Sequence, residues 1–348
     1  MIGPGRGECV LVHLGDSDWC IVDSCKSRAS ANPVAWDYLR QFGEKTLSQV
    51  RLIVATHWHD DHIRGLASLL EQSPEAKFAC ASAVQTKEFL TLVASAGVAL
   101  TEDTGVNEFA AILETLEVRS AGSLLFALVN RPLLRLNGNN RSFPSCVTSL
   151  SPSDETLKVA LIEIGKMMPQ EGRPQRRTSS PSPNHASIAL WIEAGSKRVL
   201  LGADLEHTGR EGEGWLAILK SHTDTLPAAV FKIPHHGSEN ADCPQVWTTM
   251  VAPEPVAVVT PFTGGVRLPK DSDLERLESR TSKLYCTSRG TGKPPTRDPS
   301  VEKKLKNVTS NRRVLDGQPG HVRIRWLVSD EGAQPRVETF NGAYQVRN

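Results

Sequence analysis

Within six positions the chain carries three imidazoles and a run of carboxylates: His57-Trp58-His59-Asp60-Asp61-His62. Only ten histidines occur in 348 residues, so three at this spacing are not a matter of composition. Imidazole nitrogen and carboxylate oxygen are the donors that suit zinc and similar divalent ions. The segment follows Val50–Thr56, a short apolar run bounded by polar residues that reads as a buried strand. A loop at the end of a strand lets His57 and His59 point one way while Asp61 and His62 point another. One short segment can thus feed two metal positions. A helical pattern then begins at His62, with Ile63, Leu66, Leu69 and Leu70 at helical spacing through Ser73.

The elements that must position this segment are partly legible. Cys9–His13 and Trp19–Asp23 are apolar runs around Leu14-Gly-Asp-Ser-Asp18, which predicts a hairpin. Pro33 opens a helix with Val34, Tyr38, Leu39 and Phe42 on one side. Lys77–Ala81 reads as a strand and Gln85–Ser95 as a helix. Residues 100–183 carry little pattern beyond a strand at Ser145–Leu150 and a helix start capped by Ser153. Residues 169–184 are rich in Pro and Ser, hold Arg173, Arg176 and Arg177, and read as a mobile solvated loop. Strands resume at Ser187–Glu193, Arg198–Ala203, Ala228–Ile233 and Val256–Thr260, with a helix at Trp215–Lys220. Val322–Trp326 alternates with period two and can pair with Arg336–Phe340. The pattern is α/β, with helices outside two central sheets.

Composition bounds the partners. Forty basic against 39 acidic residues leave a net charge of +1, so global charge points to no polyanion. No apolar run approaches the ~18 residues of a membrane span, and Met1–Glu8 lacks the layout of a signal peptide. The expectation is a cytoplasmic protein with no membrane partner. Seven cysteines, odd in number and without CxxC spacing, read as reduced structural thiols.

The HxHxDH segment after a strand resembles the metallo-β-lactamase superfamily, and further segments fit in the same order. Gly5-Arg-Gly7-Glu8 before an apolar strand is similar to the GxGD/E opening of ComEC-type hydrolase domains. Asp23 matches the structural Asp that ends the second strand, Gly202-Ala-Asp204 the GD segment, and Lys232-Ile-Pro-His235-His236-Gly-Ser238 the KVxHHGS segment of that branch. The composite also resembles hydrolases of bacterial antiphage defence operons. The resemblance implies an αββα sandwich over residues 1–285, with residues 286–348 as a C-terminal extension containing a basic linker and a β-hairpin. It implies a metal set of His57, His59, Asp61, His62, Asp204 and one of His235 and His236. We take His235 as the ligand and His236 as the substrate-facing group that donates to the leaving group. The carboxylate of Asp204 would emerge at a sheet edge and could bridge two cations. Two departures stand out. His185, in Asn184-His-Ala-Ser187, occupies a segment where ComEC-type chains have Asn-x-x-Ser and no metal His. Leu268, before Pro269, stands where related chains present a final His ligand. The expected cofactor is therefore one or two Zn²⁺, with Mn²⁺ or Mg²⁺ an alternative at the second position.

Such a ligand set implies hydrolysis by metal-activated water, with Asp61 as proton acceptor. The first expectation is a phosphodiesterase or nuclease, acting on a phosphodiester substrate such as nucleic acid, with Arg173–Arg177 and the basic run Lys303–Arg313 available for backbone contacts. A second is hydrolysis of an amide, ester or lactone by the same chemistry. A third, favoured by Leu268, is a catalytically weak sensor or partner-binding subunit among the proteins of a defence complex.

Overall fold

The computed structural model describes all residues except 27–29, 31, 82–104, 168–182, 290–297, 309–318, 329, 331 and 347–348. The expected helix Gln85–Ser95, the loop arginines Arg173, Arg176 and Arg177, and Arg312 and Arg313 lie outside the described residues.

Two sheets form the centre. The first has five strands in chain order, β1 (Val10–His13), β2 (Trp19–Val22), β3 (Val50–Val54), β4 (Lys77–Ala81) and β5 (Leu124–Ala127), all parallel from β2 onward. The second contains β6 (Arg131–Leu136), β7 (Ser145–Ser149), β8 (Leu190–Ala194), β9 (Lys197–Leu201), β10 (Ala228–Lys232), β11 (Val251–Val259) and β12 (Leu284–Cys286). An eighth strand, β15 (Tyr344–Gln345), pairs with β12, so its order is β15-β12-β11-β10-β9-β8-β7-β6. A separate hairpin, β13 (His321–Arg325) and β14 (Arg336–Phe340), pairs as its alternation predicts.

Apolar residues of both sheets, among them Ile53, Val54, Val147, Ile192 and Leu201, share one buried cluster. Helices α1 (Val34–Leu39), α2 (Asp60–Ile63), α3 (Leu66–Glu71) and α4 (Gly105–Glu117) lie with the first sheet, where Leu39, Leu69, Leu70 and Ile112 join that cluster. The opposite face of the second sheet buries Trp191, Leu200 and Phe231 against Trp215 and Ile218 of α6 (Gly214–Ser221), Val246 of α7 (Pro244–Thr249) and Leu277 of α8 (Asp271–Glu278). The expected capping holds for α5 (Asp154–Met167), because the Ser153 hydroxyl accepts the Thr156 amide at 3.2 Å. A last helix, α9 (Pro299–Val308), carries Lys303, Lys304 and Lys306 exposed.

Three differences from the sequence reading have physical causes. The helix expected over 62–73 starts earlier, at Asp60, and breaks at Gly65. Gly65 adopts φ +93°, and the carboxylate of Glu108 on α4 accepts the amides of Gly65 and Ala67, capping α3 from a distant element. The strand β6 was invisible because it carries Pro132, which a sheet tolerates at its edge, where β6 lies. The expected strand Ser187–Glu193 begins only at Leu190, because Asn184–Ser187 turns toward the ends of β3 and β9.

Candidate metal centre

The chemically equipped residues all follow strands. His57 comes three residues after β3, Asp204 three after β9, and His235-His236 three and four after β10. These three neighbouring loops open at the same sheet ends.

Asp23, just past β2, fixes the first loop. Its backbone is left-handed (φ +58°), and its carboxylate accepts the Thr56 amide at 2.8 Å and the Thr56 hydroxyl at 2.7 Å. The same carboxylate lies 2.7 Å from His62 Nδ1, which leaves Nε2 of that ring to face the cluster. There His62 Nε2 is 3.4 Å from Asp204 Oδ2 and 3.7 Å from Asp61 Oδ2. His57 Nε2 lies 3.9 Å from Asp204 Oδ2, and His236 Nε2 lies 3.5 Å from both Asp204 Oδ2 and Asp61 Oδ2. His57, His62, Asp204 and His236 are all buried, while Asp61 keeps 19% of its side chain exposed. Among the described residues the donor atoms form four groups of metal-holding dimensions: His57–His62–Asp204 and Asp61–His62–His236, which share His62, and Glu8–Asp204–His236 and Glu8–Asp23–His62, which bring in Glu8 from behind.

Among the described residues, two atoms of the cluster, His62 Nε2 and Asp204 Oδ1, are buried with no hydrogen-bond partner. Buried polar atoms are ordinarily paired, and an orphan costs about 1–3 kcal/mol. Nitrogen and oxygen donors orphaned at one point fit a divalent cation in chemistry and in arrangement.

The electrostatics are those of crowded unlike charges. Burial opposes the charged form of His62, but Asp204, Asp61, Asp23 and Glu8 outweigh it and raise its pKa well above the ordinary value. Burial likewise disfavours ionised Asp204 and Asp61, yet the neighbouring His62 and His236 hold both carboxyls below the usual range. Burial, reinforced by His62, pushes His57 well below its ordinary value and keeps it neutral.

Not every expected residue joins the cluster. His59 stands at its rim, with Nδ1 3.1 Å from His57 Nε2. The pair at 235–236 is placed opposite to the sequence reading: His236 enters the cluster and His235 does not. Both have left-handed backbones (φ +45° and +53°), and His235 N donates to Ala203 O at 2.9 Å. The turn sends the His236 ring inward, where Nδ1 donates to Thr260 O at 2.8 Å and Phe262 stacks on it at 5.2 Å. The His235 ring goes to Asn184 Nδ2 at 3.2 Å and Asn240 Oδ1 at 3.0 Å. His185 is half-exposed and pairs with Glu206 at 2.9 Å, outside the cluster. Ser187 lies 3.3 Å from His57 Nδ1, and its hydroxyl accepts the Asp204 amide at 3.2 Å. Leu268 sits in a loop whose backbone pairs with Phe262, so an apolar segment stands where a further His was looked for.

Sequence reasoning missed what lies behind the cluster. Glu8 and Lys232 are a buried ion pair at 2.6 Å, 2% and 1% exposed. Lys232 Nζ also donates to the Ala203 carbonyl at 3.0 Å, directly before Asp204. Glu8 accepts the Thr260 hydroxyl, and its amide donates to Asp61 O at 3.1 Å. The GxGE and KIPHHGS segments contained the signal, since Glu and Lys flanked by apolar strand residues are rarely buried unless paired.

This two-sheet arrangement with helices outside is the αββα metallo-β-lactamase fold. Residues 2–88, which contain the His57–His62 segment, match the family model of the Metallo-beta-lactamase superfamily. No curated protein matches the sequence. Similar solved structures include a metallo-beta-lactamase of Cronobacter sakazakii in a HARLDQ-motif mutant form, at 14% identity and TM-score 0.31, covering 60% of this chain and 62% of that one. The chain therefore spans less than two thirds of that lactamase. Zn(2+)-bound PqqB from Methylobacterium extorquens aligns at 11% identity and TM-score 0.38, covering 80% and 84%. Human tRNase Z, short form, aligns at 11% identity and TM-score 0.36, covering 81% and 88%.

Proposed function

We propose that the chain is a metal-dependent hydrolase of phosphodiester bonds, a nuclease or nucleotide phosphodiesterase. The observation that carries the metal is the convergence of buried donors on the partnerless atoms His62 Nε2 and Asp204 Oδ1. We assign His57, Asp61, His62, Asp204 and His236 as the holders of one or two zinc ions, with His59 beside them. Bound there, a divalent ion supplies Lewis-acid polarisation of the substrate and lowers the pKa of a water toward about 7.

The chain's own groups do the rest. Asp61 keeps 19% of its side chain exposed, which lets it take a proton from the substrate side. His235 replaces His236 as the substrate-facing imidazole, steadied by Asn184 and Asn240 and 3.6 Å from Glu206. Phosphodiester rather than acyl substrate is supported by the resemblance of the GxGE and HHGS segments to ComEC-type hydrolases and by the exposed lysines of α9. Resemblance also supports a role in antiphage defence, and a division into a hydrolase domain (1–285) and an extension (286–348).

The test is turnover of bis-p-nitrophenyl phosphate with zinc or manganese, paired with metal content. His236→Ala should lose both metal and turnover, whereas His235→Ala should keep the metal and lose about 10²-fold or more in turnover. Metal bound by the wild type without turnover of any diester or ester would overturn the enzymatic reading and favour ligand binding without catalysis.

A further inference from the structure

We propose that a second binding site, for an uncharged and mainly apolar small molecule, lies between the first sheet and the β13–β14 hairpin. Beside β1 lies a cavity of about 730 Å³, within the size range of sites for drug-sized ligands. Its floor is the second sheet at Ile192 and Val199, one wall is Val10 and Val12 of β1, and the other is Ile324 and Trp326 of the hairpin and its extension. Alternation along β9 shows the opening. Val199 and Leu201, two residues apart on one face of that strand, both line the cavity, and Val199 is only half-buried while Leu201 is 2% exposed.

Among the described residues, one buried polar atom of the lining has no partner: the Trp326 indole nitrogen, which a ligand offering an acceptor would relieve once the ring turns toward it. Charged residues at the rim already hold protein partners. Asp16 accepts the Ser142 hydroxyl at 2.6 Å, Lys197 donates to Asp330 O at 2.8 Å, and Arg325 donates to Glu338 at 2.8 Å. A charged head would have to displace one of these, whereas an apolar body gains from burial at about 25 cal/mol per Å². The chemistry selects a hydrocarbon chain or ring system bearing one uncharged acceptor. None of His57, Asp61, His62, Asp204 and His236 lines this cavity, so the two sites are separate and the inference does not rest on the metal reading.

The experiment is titration of the full chain with 1-decanol, followed by the indole N–H resonances in nitrogen-15 spectra, with Trp326→Phe to assign the peak. The expected result is a saturable shift of the Trp326 resonance with the Trp215 resonance unmoved. Val199→Trp, which fills the floor, should weaken binding by about tenfold or more. Ile324→Trp serves as a second filling variant should Val199→Trp fail to fold. An unmoved Trp326 resonance, an unsaturable shift, unchanged binding in a folded filling variant, or tighter binding of decanoate than of decanol would each overturn the proposal.

Discussion

Replacing Lys232 by Met removes a buried cation while keeping most of its aliphatic length. In the wild type the ammonium contacts Glu8 at 2.6 Å and donates to Ala203 O at 3.0 Å, with both partners of the pair at most 2% exposed. Glu8 would be left buried with the Thr260 hydroxyl, and its charge would lie close to Asp23 and Asp204. Breaking one side of such a pair costs about 3–5 kcal/mol. The double variant Glu8→Gln/Lys232→Met leaves no uncompensated charge, and its Gln can still accept from Thr260. It should therefore lie only about 1–2 kcal/mol below wild type, giving a coupling of about 2 kcal/mol or more in the double-mutant cycle. Urea unfolding in the presence of a chelator measures all four proteins without a contribution from bound metal. A Lys232→Met loss under about 1 kcal/mol, or additive single and double variants, would refute the claim that this pair is a buried keystone behind the cluster.

The same frame gives two further expectations. Gly7 has φ +84°, and an added Cβ would stand 2.5 Å from both Asp61 O and Cys25 Cβ, so Gly7→Ala should cost about 2–4 kcal/mol from left-handed strain and overpacking; urea unfolding checks it, and a loss within 0.5 kcal/mol, about the experimental scatter for neutral sites, would contradict it. His321 is held to about 4 by burial and by the nearby chain amino group, so between about 6.5 and 4 the unfolded chain binds more protons and stability is lost as pH falls through that window. His321→Phe keeps a ring on Phe340, at 4.5 Å in the wild type, and should show a smaller drop in melting temperature from pH 7 to pH 4.5; equal drops in both proteins would refute the assignment.

The parts legible in the sequence were those governed by local rules. The strand before His57, the hairpin at the amino terminus and the β13–β14 pairing follow from apolar runs and alternation. The residues now gathered around Asp204 were singled out because imidazole and carboxylate carry their chemistry in their side chains. What sequence could not supply came from tertiary contacts. The break at Gly65 depends on Glu108, 43 residues away, and β6 hides its edge position behind a proline. The order of His235 and His236 was not readable, because it is set by two left-handed residues and by the Thr260 carbonyl that receives the inward ring. Leu268 was read as the loss of a ligand; what it joins is an apolar loop that carries Phe262 onto His236.

Zinc titration of chelator-stripped protein by calorimetry, with elemental analysis of the reloaded chain, addresses the central arrangement without assuming a substrate. The donors gathered around Asp204 predict at least one tightly held ion per chain in the wild type and loss of that ion in Asp204→Ala, with the fold retained. A wild-type chain that takes up no zinc or manganese, or an Asp204→Ala protein that binds as well as its parent, would contradict it.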